Sequence, residues 1–298
     1  ARMWIARIMI TWGIISSAFM FTDNIYWGSL ASMFNCSDSE FTFYVLRFLL
    51  GACEAGFFPG IILYLTYWFP GSRRTKVIAL FMTAIAISNV IGAPVSGAIM
   101  QYMQGMGGLR GWEWLFLLEG IPSVVVGLLV FVFLPDGPKH AAWLDEREKA
   151  FIVHEVALDD AGKEELGKGH SLWDAFSDYR VWCLALVYFS GVICFYAINF
   201  WMPTIIQELG VDKKDFFKVG LLSMIPWGIS AVFMVLWGAH SDKTGERRWH
   251  VAGSLLITIA GLVGLSLVGH SPVPSLIALT LVASGSLAFV STFWSLPT

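Results

Sequence analysis

Long apolar runs alternate with short polar segments along the whole chain, and this pattern predicts its structural elements. About twenty consecutive apolar residues are enough to span a bilayer as a helix. Eight runs reach that length, and they cover residues 4–21, 41–69, 77–101, 114–134, 181–206, 216–238, 250–269 and 275–297. The apolar stretch 25–34 is too short to cross and is expected to form an ordered or interfacial segment before the second run. The pattern predicts an all-helical integral membrane protein with eight spans.

One long polar segment, residues 135–180, separates four of these runs from the other four. It contains Pro135, Pro138 and the charged stretch WLDEREKAFIVHEVALDD, which is typical of a short amphipathic helix on a membrane surface. The sequence therefore predicts three parts: residues 1–134, a connector at 135–180, and residues 181–298.

The composition agrees with a membrane protein. Of the 298 residues, 56% are hydrophobic and 14% are charged, whereas soluble domains contain about 25% charged residues. The four cysteines form no CxxC pair, and the six histidines show no spacing suited to a metal ion. We therefore expect no cofactor, metal ion or nucleic acid as a partner, and we expect the lipid bilayer as the surroundings.

Lysine and arginine residues are unevenly distributed between the two sets of loops. The set that includes the connector and both chain ends carries fourteen of them, and the other set carries four. Basic residues concentrate in the cytoplasmic loops of membrane proteins. This bias predicts a multi-pass protein of the inner (plasma) membrane, with the connector and both chain ends in the cytoplasm.

A charged pair interrupts the second apolar run, in the stretch RFLLGACEAGFFPG. Arg47 and Glu54 are seven residues apart, close to two helical turns, so they share one face with Gly51 between them. A charge at mid-membrane costs on the order of 3 kcal/mol, so such residues usually face a water-filled cavity or a partner. A permanent cation beside a titratable acid is a minimal site for an anion and a proton. The alternative is an ion pair that only locks helices together.

An internal repeat links the start of the chain to its second half. The segment Gly238–Trp249 is a short loop that enters the seventh run, and its tail ERRWHVAG is similar to the first residues, ARMWIARI. In this alignment Arg2 falls on Arg247 and Trp4 on Trp249. The repeat favours a twelve-span protein with two six-span halves, of which this chain lacks two spans at each end.

Several motifs carry a resemblance to a known family. The pattern G-x-x-x-D-K-x-G-x-R-R at Gly238–Arg248 is similar to the loop signature of the major facilitator superfamily, and R-x-x-x-G at Arg47–Gly51 is similar to its second signature. The stretches LRFLLGACEAGFFPGIILYLTYWFP, RGWEWLFLLEGIPSVVVG and NFWMPTII together resemble its anion:cation symporter family, which includes bacterial carriers of tartrate and other organic acids. The resemblance covers nearly the whole chain. It implies that Arg47 binds the substrate anion and that Glu54 carries the proton.

Further polar side chains are candidates for substrate binding. Tyr44 shares the face of Arg47, and Tyr196 and Asn199 lie on the first span after the connector. In the fold that the resemblance implies, that span faces the central cavity. The alternative for each of the three residues is a packing role.

The repeated loop holds candidates for gating. Asp242, Arg247 and Arg248 can form an ion-pair latch across a cytoplasmic gap between the halves; alternatively, the cluster is only a topology signal. Glu119 lies inside a span and is either a second titrating acid or a structural hydrogen-bond partner. Asn89 is expected to pack beside the small residues around it.

The sequence favours a proton-coupled symporter of a small organic anion, acting as a monomer by alternating access. Tartrate, sugar acids and aromatic carboxylates can all bind to an arginine, so the residues do not identify the substrate. They also do not decide whether the coupling ion is a proton or sodium. The first rival is a metabolite or drug exporter that works by proton antiport, because GAPVSG loosely resembles an exporter motif. An unpaired arginine in the cavity disfavours export of cationic drugs. The second rival, an enzyme or receptor, is disfavoured because the sequence shows no nucleophile with a base, no metal cluster and no phosphate-binding loop.

Overall fold

The computed structural model describes residues 2–166, 176–269 and 271–294, and every regular element within these ranges is helical. Three short 3₁₀ turns, at Phe19–Phe21, Met106–Gly108 and Pro138–His140, accompany the α-helices. In chain order, the α-helices are α1 Arg2–Ala18, α2 Ser29–Met33, α3 Asp38–Glu54, α4 Phe57–Thr66, α5 Gly71–Tyr102, α6 Gly111–Phe133, α7 Glu146–Leu166, α8 Tyr179–Glu208, α9 Phe216–Thr244, α10 Arg248–Val268 and α11 Pro272–Phe293.

Eight segments of the described chain are long and apolar enough to cross a membrane, and each corresponds to one predicted run. The prediction of an all-helical protein with eight spans is therefore confirmed. The second span combines α3 and α4 as Asp38–Thr66. The stretch 25–34 holds the short helix α2 and does not cross, as expected. Residues 295–297 of the last predicted run lie outside the described residues.

The second span is broken at Ala55 and Gly56, where α3 ends and α4 begins. The break lies about one turn before Pro59 and Gly60. The reason is that a proline has no N–H to donate to the carbonyl four residues before it, and its ring clashes with that carbonyl. Pro59 itself is tolerated because it lies in the first turn of the new helix.

The connector contains the helix α7, which has a defined N-terminal cap, whereas an amphipathic face and a position on the membrane surface stay predictions. The Glu148 N–H donates to Asp145 Oδ1 at 2.7 Å, and the Asp145 N–H donates back to Glu148 Oε2 at 3.0 Å. This reciprocal pair satisfies N–H groups that the first turn of α7 leaves unbonded. Residues 167–175 of the connector lie outside the described part of the chain.

Helix α7 contacts the segment that follows the second span. The Gly71 N–H, at the start of α5, donates to Asp159 Oδ2 of α7 at 3.0 Å. The rings of Trp68 and Trp143 stack in parallel with centroids 5.6 Å apart. Because α5 begins at Gly71, Arg73 lies on its first turn.

The described chain falls into two compact units: residues 2–78 with 102–166, and residues 79–101 with 176–269 and 271–294. Most of α5 thus packs with residues that follow the connector. The predicted division into 1–134, 135–180 and 181–298 concerns sequence repeats in a longer fold, and it stays a prediction.

In the first unit, small residues bring α1 and α6 close together. A β-carbon at Gly13 would lie 2.8 Å from the Gly120 carbonyl oxygen, and one at Gly127 would lie 2.8 Å from Ile10 Cγ1. Glycine allows backbones to approach in this way, and membrane helices depend on such packing because lipid provides no hydrophobic drive between them. The α1–α6 pair is therefore the frame on which α3 packs.

In the second unit, α11 is the most buried of the described helices. A β-carbon at Gly261 of α10 would lie 2.6 Å from the Val282 N of α11. The Ser230 and Ser284 hydroxyls of α9 and α11 form a buried hydrogen bond at 3.0 Å. Helix α5 packs closely against α9 in this unit. A β-carbon at Gly220 of α9 would lie 2.8 Å from Pro94 Cα of α5.

Candidate functional site

Helix α3 is fixed at its start by a network of local hydrogen bonds. The Ser37 N–H donates to Glu40 Oε2 at 2.8 Å, and the Glu40 N–H donates to Ser37 Oγ at 3.3 Å, which is a capping box. Trp27 Nε1 donates to Thr42 Oγ1 at 2.7 Å, and Thr42 is 1% exposed. These contacts set the rotation of α3 and therefore the direction of the side chains that follow.

Arg47, Gly51 and Glu54 form one stripe along α3, within about 60° around its axis. All three residues are exposed in the structure. No heavy atom of the described chain lies within 4 Å of a β-carbon built at Gly51. The buried residues of α3, Thr42 and Leu46, point to another side of the helix. The stripe is thus an open notch with a cation at one end and an acid at the other.

Two aromatic rings hold the Arg47 guanidinium. Its central carbon lies 5.2 Å from the Phe43 ring centroid and 5.7 Å from the Phe19 ring centroid. Phe19 is fully buried and stacks on Phe116 at 4.9 Å. Aromatic faces attract a cation but accept none of its N–H groups in ordinary hydrogen bonds. Among the described residues, no carboxylate lies within ion-pair distance of Arg47.

Glu54 lies at the last position of α3, directly before the break at Ala55. It follows Arg47 by about 10 Å along the helix axis. The two side chains therefore do not form an ion pair with each other. An anion that contacts the guanidinium and a proton held by the carboxyl group would occupy neighbouring parts of the same stripe.

The other predicted substrate-binding residues lie on two different units. Tyr44 is 59% exposed, one turn before Arg47. Tyr196 is 56% exposed and stacks on Phe200 at 6.3 Å. Asn199 is half-buried, and its Nδ2 donates to the Phe195 carbonyl oxygen at 2.8 Å. Because Tyr196 and Asn199 belong to the second unit, their grouping with Arg47 stays a prediction.

The three predicted gating residues flank one turn of the chain. Asp242 lies on the last turn of α9, and Arg247 and Arg248 lie at the start of α10; all three are exposed. Gly245 ends α9 with a φ of 68°, a left-handed conformation that favours glycine, and its N–H donates to the Ser241 carbonyl oxygen at 3.0 Å. The ion-pair latch itself stays a prediction.

A histidine pair in the same turn was missed by the sequence analysis. His240 Nδ1 and His250 Nε2 lie 2.7 Å apart, so one ring donates a hydrogen bond to the other. The other ring nitrogen of His250 contacts the Glu246 carbonyl oxygen. Trp237 Nε1 donates to the His250 carbonyl oxygen at 3.1 Å. The only sequence signal was one histidine on each side of a loop, and the pair joins the end of α9 to the start of α10.

A second missed cluster surrounds Arg110, before α6. Arg110 Nη2 lies 2.6 Å from Asp23 Oδ2 and 2.8 Å from Glu113 Oε1. Hydrogen bonds from Ser39 and then from Arg110 hold the pKa of Asp23 below its ordinary value. Hydrogen bonds to Glu113 and then to Asp23 raise the pKa of Arg110. We call Asp23, Arg110 and Glu113 the loop clamp, because they join the segment after α1 to the start of α6.

The remaining polar candidates have contacts close to their own positions. Asn89 is half-buried, and its Nδ2 donates to the Ile85 carbonyl oxygen at 3.0 Å. Glu119 is exposed on α6 and makes a polar or electrostatic contact. Within the described ranges, no group of histidine, cysteine and acidic residues is suited to a metal ion.

Comparison with known proteins places this helical architecture in one family. The family model described as Major Facilitator Superfamily matches residues 1–298. The structure of the xylose transporter XylE from E. coli, in a partially occluded inward open conformation, superposes with a TM-score of 0.57 at 15% identity, covering 99% of this chain and 74% of that chain. The chain therefore belongs to the Major Facilitator Superfamily and has its fold, which confirms the resemblance seen in the motifs.

Three curated relatives cover the whole chain. A putative tartrate transporter of Agrobacterium vitis is 44% identical over 298 residues, which are 62% of that protein. The putative metabolite transport protein NicT of Pseudomonas putida is 42% identical over 298 residues, 64% of its length. A quinolone resistance transporter of Acinetobacter baumannii is 32% identical over 299 aligned residues, 64% of its length. The chain thus spans less than two thirds of the length of these relatives.

The relatives also bear on the class of protein. All three are named as transporters or transport proteins, and the first two agree with the anion:cation symporter type. Membership of this transporter superfamily confirms the predictions of a multi-pass membrane protein and of a chain that is not an enzyme.

Proposed function

We propose that this chain is part of a secondary transporter that carries a small organic anion together with a proton. Alternating access would occur between a half that includes residues 1–134 and a half that includes residues 181–298. The connector at 135–180 and both ends of the chain would be cytoplasmic, as the basic-residue bias predicts. The protein would act as a monomer in the inner (plasma) membrane.

The single observation that carries this proposal is the environment of Arg47. Its guanidinium is held by two aromatic rings, is exposed, and has no carboxylate of the described chain within ion-pair distance. A cation in a membrane span is costly unless it serves a ligand or a partner. A carboxylate substrate would supply the missing charge and two hydrogen-bond acceptors in the planar arrangement that arginine prefers.

Glu54 is the proposed proton carrier. It lies on the stripe of Arg47, next to the helix break, and its side chain is exposed. A carboxyl group can be neutral or charged, whereas a guanidinium stays charged. Protonation of Glu54 would therefore change the net charge of the stripe from zero to plus one, and this change favours a substrate anion.

The name of one relative supports an organic acid as the substrate, and the name of another supports a metabolite without giving its class. One is a putative tartrate transporter and the other a putative metabolite transport protein. We take tartrate as the first probe, followed by a sugar acid (gluconate) and an aromatic carboxylate (benzoate). Mannitol, which is neutral, is the negative control.

The test uses the protein in liposomes and compares two assays with labelled substrate. Glu54→Gln resembles the protonated acid permanently, so we expect exchange across the membrane to persist and uptake driven by a pH gradient to disappear. Glu208→Gln is the matched control, because Glu208 is also an exposed acid in a span and lies outside the stripe. If Glu54→Gln still concentrates substrate against its gradient, another acid couples the proton, and Glu119 is the next residue to test.

Arg47→Lys separates charge from geometry in the same two assays. Lysine keeps the charge and loses the two parallel donors of arginine. We expect substrate affinity to fall in exchange and in gradient-driven uptake alike. An unchanged affinity for all three carboxylates would show that the two parallel donors of Arg47 do not bind the substrate.

A second candidate function is export by proton antiport. It is favoured by the 32% identity to the quinolone resistance transporter. Quinolones also carry a carboxylate, so Arg47 by itself fits either function. The direction of coupling decides: an exporter would release a preloaded quinolone from liposomes when protons flow the opposite way, and an anion symporter would move protons and tartrate together.

A further inference from the structure

A cleft between the start of α1 and the end of α6 lies outside the stripe of Arg47 and has no assigned role. Its volume is about 630 Å³, within the range of small-molecule sites. Its walls are mostly apolar, and its lining consists of Met3, Trp4, Ala6, Arg7, Ile10, Thr11 and Phe131. Helix α6 ends at Phe133, two residues after the lining residue Phe131, so the cleft opens close to the end of that membrane span.

Arg7 is the charged residue of this cleft, and no carboxylate of the described chain is within ion-pair distance of it. Its guanidinium lies 4.1 Å from the Trp4 ring centroid, and the residue is exposed. The nearby Arg2 differs, because its Nη2 lies 3.4 Å from Asp136 Oδ2. Of these two arginines, one is paired and the other keeps an available positive charge beside an apolar cleft.

Trp4 is itself fixed, which holds the position of Arg7. Trp4 Nε1 donates to the Gly56 carbonyl oxygen at 3.1 Å, at the break between α3 and α4. A β-carbon at Gly60 would lie 2.9 Å from the Trp4 ring, so the ring packs tightly on α4. The guanidinium that rests on this ring is therefore preorganised to meet a ligand.

The depth of Arg7 suits a group at the membrane boundary. It lies about 7–8 Å along the α1 axis from Arg2, whose partner Asp136 follows the end of α6, and arginine side chains extend toward the interface from such positions. A molecule that fills the site must present a negative charge at the boundary and apolar chains deeper in the bilayer. The geometry points to an anionic phospholipid, with its phosphate on Arg7 and an acyl chain along Ile10 and Phe131.

The experiment measures lipid retention by native mass spectrometry of the detergent-solubilised protein. Phosphatidylglycerol and phosphatidylcholine of equal chain length are the probes. A basic residue near the surface contributes enough to change anionic lipid binding by about fivefold. We expect wild-type protein to retain phosphatidylglycerol at least about fivefold better than phosphatidylcholine, and Arg7→Gln to remove this preference.

Two controls distinguish this lipid site from a general effect of positive charge and from a site for free phosphate. Arg180→Gln, at an exposed arginine near the start of α8, should leave the preference unchanged. Glycerol 3-phosphate should not compete with the long-chain lipid, because it lacks the acyl chains. Equal retention of both lipids by wild type, an unchanged preference in Arg7→Gln, competition by glycerol 3-phosphate, or a protein segment cross-linked into the cleft would each overturn the proposal.

Discussion

Arg47 and Arg110 both lie beside aromatic rings, but only the charge of Arg110 is compensated by carboxylates of the described chain. The Arg47 guanidinium has Phe43 and Phe19 at 5.2 Å and 5.7 Å and no described carboxylate in reach. The Arg110 guanidinium lies 4.6 Å from the Trp112 ring centroid and also contacts two carboxylates. One arginine keeps an available charge inside a span, and the other is neutralised at the end of a span.

The difference shows what each arginine can do. The loop clamp of Asp23, Arg110 and Glu113 joins two segments that are distant in the sequence, so its energy stabilises the fold. Arg47 adds no such link within the described chain, and the cost of its exposed charge is recovered only when a ligand or partner arrives. Compensation of charge, more than the identity of the residue, separates a structural arginine from a candidate binding residue.

The largest expected effect is that a substitution at Arg47 lowers substrate affinity and a substitution at Glu113 lowers stability. Arg47→Gln should lower the affinity for tartrate by about ten- to a hundredfold, the range expected for hydrogen bonds to a charged group, with little change in Tm. Glu113→Ala should lower the free energy of unfolding by about 1–3 kcal/mol, because the Arg110 backbone N–H loses its acceptor. Tartrate binding by calorimetry and thermal unfolding in detergent measure the two quantities.

Glu113→Gln is the matched control for the clamp. It keeps an acceptor for the Arg110 N–H and removes only the charge, so its loss of stability should be smaller than that of Glu113→Ala. The comparison fails if Arg47→Gln destabilises the protein as much as Glu113→Ala, or if both variants lose tartrate binding equally.

A smaller effect is expected from the ring that holds Arg47. Phe43→Leu keeps an apolar side chain and removes one cation–π contact, which contributes about 0.5–1 kcal/mol at an exposed site. Tartrate affinity should therefore fall about two- to fivefold, while Phe41→Leu, on another face of α3, should leave it unchanged. Titration of tartrate into the two variants is the measurement, and equal affinities would mean that Phe43 does not position the guanidinium.

The smallest effect concerns the pH dependence of the loop clamp. The folded-state pKa of Asp23 lies below its ordinary value of 3.8. Its contribution to stability is therefore complete above the ordinary value and is lost as the pH falls through the lower, folded-state value. Asp23→Asn should lower Tm by about one or two degrees at pH 7, since exposed ion pairs contribute little.

This difference in Tm between wild type and Asp23→Asn should shrink below about pH 4. Unfolding scans of both proteins from pH 3 to pH 7 provide the comparison. A difference that stays constant down to pH 3 would show that ionisation of Asp23 does not contribute to the clamp.

The eight spans could be predicted from the sequence, because each helix that crosses a bilayer needs a long run of apolar residues and such runs are visible in the sequence. The stripe of Arg47, Gly51 and Glu54 followed from spacing alone, since residues seven apart share a helical face. The break at Ala55 lies four residues before Pro59, at the carbonyl that a proline disturbs.

The loop clamp and the histidine pair were not found in the sequence. Asp23 and Arg110 are far apart along the chain, and their pairing depends on the close packing of α1 with α6. His240 and His250 meet because Gly245 turns the chain back between two helices. Neither contact has a local pattern, so only the packed structure reveals them.

The sequence by itself determined that the chain is a bundle of membrane helices and that a cation and an acid share one face of the second span. It could do so because the bilayer and the helix impose fixed lengths and periods on any chain. The tertiary structure decided which charges are compensated: among the described residues it gave Arg110 two carboxylates, Arg2 an aspartate, and Arg47 and Arg7 aromatic rings without a carboxylate. That outcome depends on which side chains the close packing of helices brings within a few ångströms, and electrostatic interaction inside a low-dielectric bundle is strong only at such distances.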